Sequence, residues 1–99
     1  MELIIQHTVR DFDAWKSVFD EHETVRAKYG CLGHTLYRGG EGGNEVTAIT
    51  SWGSRERAEE FARDPSLREA MERGGVVTEP RIQWVEAFET RAYAADRAA

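Results

Sequence analysis

Apolar positions recur with two different periods along the chain, and the first change of period separates a strand from a helix. Residues from Leu3 to Val9 are mostly apolar or β-branched, without Gly or Pro, which predicts a strand in the centre of a sheet. From Phe12 onward, apolar residues recur at steps of three and four, which predicts a long amphipathic helix. Asp11 is suited to cap this helix at its start, and Gly30 is suited to end it.

The middle of the chain returns to strand-like alternation on either side of a glycine-dense segment. Residues 33–38 and 45–52 alternate between apolar and polar positions, and residues 39–44 include four glycines. This arrangement predicts a β-hairpin with a turn at the glycines.

A second helical region follows the hairpin and is interrupted once. Ser54 is a good N-cap, and Ala58 and Phe61 belong to an apolar stripe. The sequence Asp-Pro-Ser at residues 64–66 interrupts the pattern, which resumes over residues 67–73 and ends at two glycines. We therefore predict a helix in two pieces.

The last predicted element is a strand that opens at Pro80. Ile82, Trp84 and Phe88 share one face by their spacing, and Val85 and Ala87 share the other. Residues 90–99 carry alanines but no core stripe, so we expect either a frayed helix or a disordered tail there.

The resulting order, β-α-β-β-α-β, predicts an α+β fold: a four-stranded antiparallel sheet with helices on one face. With 99 residues, the chain fits one domain, which we place at residues 1–89, followed by the tail at residues 90–99. The other sheet face needs a cover, and a second copy packed sheet to sheet is the simplest one. We therefore expect a homodimer.

Charge and composition argue against a nucleic-acid or membrane partner. The net charge of −5 argues against nucleic acid, because phosphate-backbone binding requires a basic surface. Cys31 is the only cysteine, so neither an intramolecular disulfide nor a thiolate zinc cluster is expected. No apolar run approaches the ~20 residues of a membrane span, and no export signal is evident. We expect a cytoplasmic protein without a membrane or nucleic-acid partner.

Two segments resemble a known family. Residues 49–58, ITSWGSRERA, and residues 64–71, DPSLREAM, are similar to the strand end and helix start of the antibiotic-biosynthesis-monooxygenase-like superfamily. With the element order, the resemblance covers residues 2–89. It implies a ferredoxin-like fold, a dimeric α/β barrel and a small-molecule pocket between sheet and helices. The activities it implies range over cofactor-free quinol oxygenation, polyketide cyclisation and haem degradation, and some members have unknown tasks.

The haem-degrading branch is matched only in part. Its members have a Trp at the strand end, which Trp52 matches, and an Asn on the first strand, a position that falls near His7. Their iron-ligating His position falls at Met71, where no nitrogen ligand is available. We therefore predict no haem and no other cofactor.

Two histidines are the candidate catalytic residues. His7 has the same strand parity as Leu3, Ile5 and Val9, so its side chain lies on one apolar face, and His22 lies on or beside the apolar stripe of the first helix. A pair of imidazoles facing one space could abstract a proton from a phenol or an activated methylene. In the alternative interpretation, each is a structural histidine bonded to backbone carbonyls.

Further residues are candidates for binding a substrate. His34 and Arg38 share a face of the second strand, and a guanidinium there could clamp an enolate or carboxylate oxygen. Ala48 and Thr50 are small and lie on the face of Trp52, which hints at space above the sheet. An aromatic pocket for a flat substrate is one interpretation of the large side chains, and an ordinary core is the other. These side chains are Trp15, Tyr37, Trp52, Phe61 and Trp84.

No histidine spacing in the sequence pre-aligns metal ligands, so no metal site is predicted. Two functional hypotheses stay open. The first is a cofactor-independent monooxygenase or cyclase that acts on an aromatic or polyketide-like small molecule. The second is a non-catalytic ligand-binding or regulatory dimer. A purely structural module would have no pocket at all.

Overall fold

The computed structural model describes residues 1–94, which form four strands and four helices. In chain order they are β1 (Glu2–Thr8), α1 (Phe12–Glu21), α2 (Glu23–Lys28), β2 (Cys31–Gly39), β3 (Glu45–Trp52), α3 (Arg55–Ala62), α4 (Pro65–Arg73) and β4 (Arg81–Val85). A short 3₁₀ turn at Glu41–Gly43 lies in the hairpin between β2 and β3. None of the helices in this range is long and apolar enough to cross a membrane.

The four strands form one antiparallel sheet in the order β2-β3-β1-β4. β1 is central, as its apolar character predicted, and the sheet confirms the β-α-β-β-α-β arrangement with a helical layer. Leu3 pairs with Thr50 on one side and with Trp84 on the other, and side chains of this parity face the helices. Residues of the opposite parity, such as Ile4 and Ile49, lie on the open face of the sheet.

The helix starts follow the predicted capping. The Asp11 carboxylate accepts hydrogen bonds from the backbone N–H groups of Asp13 and Ala14, at 3.0 and 3.3 Å. The Ser54 hydroxyl accepts one from the N–H of Arg57 at 3.2 Å. Satisfying these otherwise unpaired donors stabilises each first turn.

A third cap explains the predicted interruption of the second helical region. The Asp64 carboxylate accepts a hydrogen bond from the N–H of Ser66 at 2.8 Å, and Pro65 occupies the first helical position. Pro is tolerated there because its missing N–H would have no helical partner. α3 and α4 are therefore two separately started helices.

The first helical region departs from the single long helix predicted to end at Gly30. It divides at His22, whose ψ of −2° turns the chain out of the helical path, so that α1 ends and α2 begins there. The side chain of His22, at the bend, and that of Arg26, one turn later in α2, are both buried. The division was not visible in the sequence, because the apolar steps of three and four continue across it.

The last strand is shorter than predicted. Glu2 of β1 pairs with Val85, and this is the final pair, because β1 has no earlier strand residue to continue the ladder. Phe88, which was expected on the strand, lies beyond it and is fully exposed. Residues 90–94 form no helix, and the remainder of the predicted tail lies outside the described residues.

The core consists of two clusters between sheet and helices. One contains Leu3, Ile5, Trp52, Ala58 and Phe61. The other contains Val9, Trp15 and Val46. A Cβ atom added at Gly74, just after α4, would lie 3.0 Å from Cδ1 of Trp15, so the backbone itself packs against this indole.

Candidate functional site

A cavity of about 50 Å³ lies between the sheet and the helices. That volume is several times the roughly 10–15 Å³ that a single water requires. It is lined by Ile5, His7, Trp15, Val18, Phe19, His22, Arg26, Ala48, Thr50, Phe61, Leu67, Ala70 and Met71. The wall is thus mainly apolar, with a few buried polar groups, which is the usual composition of a small-molecule site.

The floor of the cavity is formed by paired strand residues. Ile5 of β1 lies opposite Ala48 of β3, and Thr50 is the next inward-facing residue along β3. Ala48 and Thr50 are buried and small, and larger side chains at these positions would fill the space. The space above the sheet that these small residues suggested in the sequence is therefore the cavity.

His7 is buried in the floor of this cavity, with 8% of its surface exposed. Its Nδ1 atom has no hydrogen-bond partner among the described residues. Its ring packs edge-on against that of Trp15, with the ring centres 5.6 Å apart. Burial lowers the pKa of His7 below its ordinary value of 6.5. The ring is therefore neutral at pH 7 and offers one nitrogen lone pair.

His22 reaches the same cavity from the bend between α1 and α2. Its Nε2 atom lies 2.8 Å from the hydroxyl oxygen of Ser66 on α4, which fixes the orientation of the ring. Burial lowers the pKa of His22, and the positive charge of Arg26 lowers it further, while Asp64 acts in the opposite direction. His22 is therefore also neutral at pH 7.

Arg26 of α2 is the one charged residue of the cavity wall, and only 3% of its surface is exposed. Its guanidinium carbon lies 3.7 Å from the centre of the Phe19 ring. Its Nη2 atom has no hydrogen-bond partner, and Arg26 forms no ion pair within residues 1–94. The pKa of Arg26 is lowered, foremost by burial.

Sequence reasoning did not single out Arg26 as a site residue. It follows His22 by four positions and Phe19 by seven, so it lies on the apolar stripe. An arginine in the middle of an apolar stripe was the signal that could have identified it.

The aromatic candidates divide between the cavity wall and the layer behind it. Trp15 and Phe61 line the cavity, whereas Trp52 packs against Phe61 with ring centres 4.9 Å apart. The indole N–H of Trp52 donates to the Thr50 hydroxyl at 2.8 Å, and that hydroxyl donates to the carbonyl of Leu3 at 3.2 Å. Trp52 thus supports the wall without lining it.

Three candidates on β2 lie outside the cavity. His34 is exposed, and its ring is nearly perpendicular to that of Phe19, with the ring centres 5.0 Å apart. Arg38 is exposed, stacks on Phe12 at 3.9 Å and donates to the carbonyl of Gly43 at 3.0 Å, so it braces the hairpin. Tyr37 has the opposite parity and is 57% exposed. β2 is an edge strand, and its residues His34 and Arg38 contact Phe19 and Phe12 of α1 instead of lining the cavity.

Comparisons with known proteins agree with this architecture. The family model described as antibiotic biosynthesis monooxygenase matches residues 10–73. A mutant of SnoaB from Streptomyces nogalater, a cofactor-independent oxygenase, aligns with a TM-score of 0.70 at 22% identity, over 90% of this chain and 93% of its own. Rv0793 from Mycobacterium tuberculosis aligns with a TM-score of 0.67 at 17% identity, over 92% of this chain and 97% of its own. No curated protein matches the sequence significantly.

Proposed function

This chain belongs to the antibiotic biosynthesis monooxygenase family, and on that premise we propose that it oxygenates or cyclises an aromatic or polyketide-like molecule without a cofactor. The observation that carries the proposal is the presence of two buried, neutral histidines, His7 and His22, in the wall of one apolar cavity. Titratable groups with perturbed pKa values in a cavity are candidates for acid–base chemistry.

His7 is the candidate base. Its Nδ1 atom is buried without a partner, so in the tautomer that carries hydrogen on Nε2 it can accept a proton from a bound phenol or activated methylene. Its lowered pKa keeps the lone pair free at neutral pH. His22, whose ring is oriented by Ser66, is the candidate partner that donates a hydrogen bond to the resulting oxyanion.

Oxygenation then needs only the substrate and dioxygen. Loss of a proton gives an electron-rich carbanion, which reduces O₂ and forms a carbon–oxygen bond to a peroxide. Cleavage of the peroxide O–O bond leaves a carbonyl at the former methylene and releases water, so that one CH₂ and one O₂ become one C=O and one H₂O. The four electrons come from the substrate, and His7 carries the proton between steps. Cyclisation would use the same carbanion on a carbonyl of the substrate.

The aromatic wall suits a flat substrate. Trp15 and Phe61 line the cavity, and an apolar wall that excludes water strengthens hydrogen bonds to a developing oxyanion. SnoaB has this fold and is a cofactor-independent oxygenase, which supports testing that class of reaction first.

The test is turnover of anthrone and quinol substrates, followed by oxygen uptake and product absorbance. We expect conversion by the wild type and at least a ~100-fold loss in a His7→Gln variant. A His34→Gln variant, altered outside the cavity, should retain full activity. Binding without turnover by any of these proteins would instead favour the non-catalytic, ligand-binding alternative.

We also propose that the protein works as a homodimer whose interface is the open face of the sheet. Ile4 and Ile49 lie side by side in the centre of that face, and Val85 and Tyr37 are exposed on its two outer strands. Apolar side chains on an uncovered sheet face favour packing against a second sheet.

A further inference from the structure

Among the described residues, the guanidinium of Arg26 forms no ion pair. A guanidinium stays protonated at neutral pH, and burying a cation without a partner carries a large desolvation cost. Arg26 is nevertheless almost fully buried, with Nη2 unpaired. The stacked Phe19 ring compensates part of the cost through its π electrons, but a ring face accepts no N–H hydrogen bond from the edge of the guanidinium plane.

The cavity wall supplies no negative charge. Within residues 1–94, no Asp or Glu lines the cavity, and the acidic residues that act on Arg26 electrostatically, Glu23 and Asp20, are exposed on the helix surface. A neutral ligand would therefore leave the cation uncompensated, whereas an anionic ligand would pair with it.

The neighbouring polar groups match an oxyanion as well. His7 and His22 are neutral, so each has one N–H group and one acceptor nitrogen. The Thr50 hydroxyl is already engaged, since it accepts from Trp52 and donates to Leu3. Each neutral imidazole can therefore offer one N–H group to an oxyanion, and the unpaired Nη2 of Arg26 adds a donor that carries a positive charge.

We infer that the ligand of this cavity is a small planar anion whose carboxylate or ionised enol oxygen binds the guanidinium of Arg26. This inference rests on the proposed function in taking the cavity as the ligand site, and it specifies the class of substrate. Arg26 presents a planar set of donors suited to two oxygens, while Trp15 and Phe61 accommodate the ring of the ligand.

The rim gives such a molecule room. Val18, Leu67 and Met71 line the cavity yet remain partly exposed, so they mark its opening toward solvent. The flexible side chain of Met71 can adjust to the size of the ligand.

The experiment compares two probes of nearly equal shape, benzoate and benzamide, by titration followed with tryptophan fluorescence and calorimetry. We expect the wild type to bind benzoate at least about tenfold more tightly than benzamide, since hydrogen bonds to a charged group are worth that much. Arg26→Met should remove this preference, and Arg26→Lys should retain part of it. Arg68→Met, which removes an exposed charge on α4, is the matched control and should bind both probes as the wild type does.

A third probe, 4-nitrophenol, distinguishes the two kinds of anionic oxygen. If enolate-type oxygens are accepted, its absorption should shift to that of the ionised form on binding to the wild type, and not on binding to Arg26→Met. If only benzoate shows the Arg26-dependent preference, the ligand is a carboxylate.

Equal affinity for benzoate and benzamide, a preference that persists in Arg26→Met, or no benzoate binding at millimolar concentration would each overturn the inference. Turnover of neutral quinols without any benzoate preference would remove the anion inference and leave the proposed reaction standing. A clear benzoate preference without turnover of any substrate would remove the proposed reaction and leave the anion inference standing.

Discussion

The imidazole of His22 and the hydroxyl of Ser66 lie 2.8 Å apart and join the bend between α1 and α2 to the first turn of α4. The contact spans 44 positions of sequence and is the only side-chain hydrogen bond of His22 found in residues 1–94. It fixes a candidate catalytic ring against a helix that also forms part of the cavity wall.

Ser66→Ala should therefore destabilise the protein and loosen the ring of His22. Leaving one buried polar atom without its partner costs about 1–3 kcal/mol. Chemical denaturation measures the free energy of unfolding, and Ser17→Ala, on the exposed side of α1, is the control that should change it by less than about 0.5 kcal/mol. An unchanged stability in Ser66→Ala would mean that the contact contributes nothing.

Stability should decrease as the pH falls through the range in which histidine titrates. Burial lowers the pKa of His7 and His22 in the folded chain, so below the ordinary value of 6.5 the unfolded chain binds more protons. The free energy of unfolding is then highest above about pH 6.5 and falls as the pH drops below that value. Asp64, whose pKa is held at about 2 by hydrogen bonds from Tyr29 and Ser66, titrates well below this window.

The measurement is urea denaturation at several pH values, with His7→Gln and His34→Gln compared. His7→Gln should flatten the pH dependence, because it removes one of the two buried imidazoles, whereas the exposed position 34 serves as control. A wild-type curve that is flat across this range would contradict the neutral, buried state of both rings.

Thr50→Val should weaken the support behind the cavity. The substitution keeps the shape of the side chain but removes the acceptor for the buried indole N–H of Trp52, at a cost of about 1–3 kcal/mol. Thr47→Val is the matched control on the same strand, where the hydroxyl accepts from Gln6 on the open face. Equal unfolding midpoints for the two variants would refute a special role for the buried hydroxyl.

Arg26→Met should stabilise the ligand-free protein. It replaces an unpaired buried cation with an apolar side chain of similar length, and a gain of about 1 kcal/mol would raise the Tm by roughly 4–8 °C in a domain of this size. Differential scanning calorimetry with Arg68→Met as control measures the effect. A lower Tm in Arg26→Met would mean that the stacking on Phe19 outweighs the cost of burying the charge.

Ile49→Lys should separate the proposed homodimer. The side chain lies in the centre of the open sheet face, and a charge there would be buried without a partner in a sheet-to-sheet interface. Light scattering coupled to size exclusion should give the mass of one chain for Ile49→Lys and of two for the wild type. Ser17→Lys on the exposed side of α1 should remain a dimer, and a monomeric wild type would end the proposal.

The sequence was a good guide to the fold because its signals are local. Strand parity grouped Leu3, Ile5 and His7 on one face of β1, where all three are buried, and Asp11 and Ser54 cap helices as expected. The bend at His22 and the end of β4 at Val85 depend instead on partners distant in sequence, Ser66 and Glu2, which no local period reveals.

The strand residues in the floor of the cavity could be predicted from the sequence, whereas the shape of the rest of its wall depends on how the helices pack. The parity of His7 and the small side chains of Ala48 and Thr50 pointed to its floor. The shared parity of His34 and Arg38 did not reveal that their side chains lie against Phe19 and Phe12 of α1 and outside the cavity, because that depends on how the helices pack.

Gly74 couples the end of α4 to the position of Trp15 in the cavity wall. Since a methyl group at that position would press on the indole of Trp15, substitutions outside the cavity can reshape it by moving one wall. A larger residue at position 74 would thus be expected to narrow the cavity while leaving the polar groups of its wall unchanged. For protein engineering, position 74 is a place from which the shape of the cavity can be altered without replacing His7, His22 or Arg26.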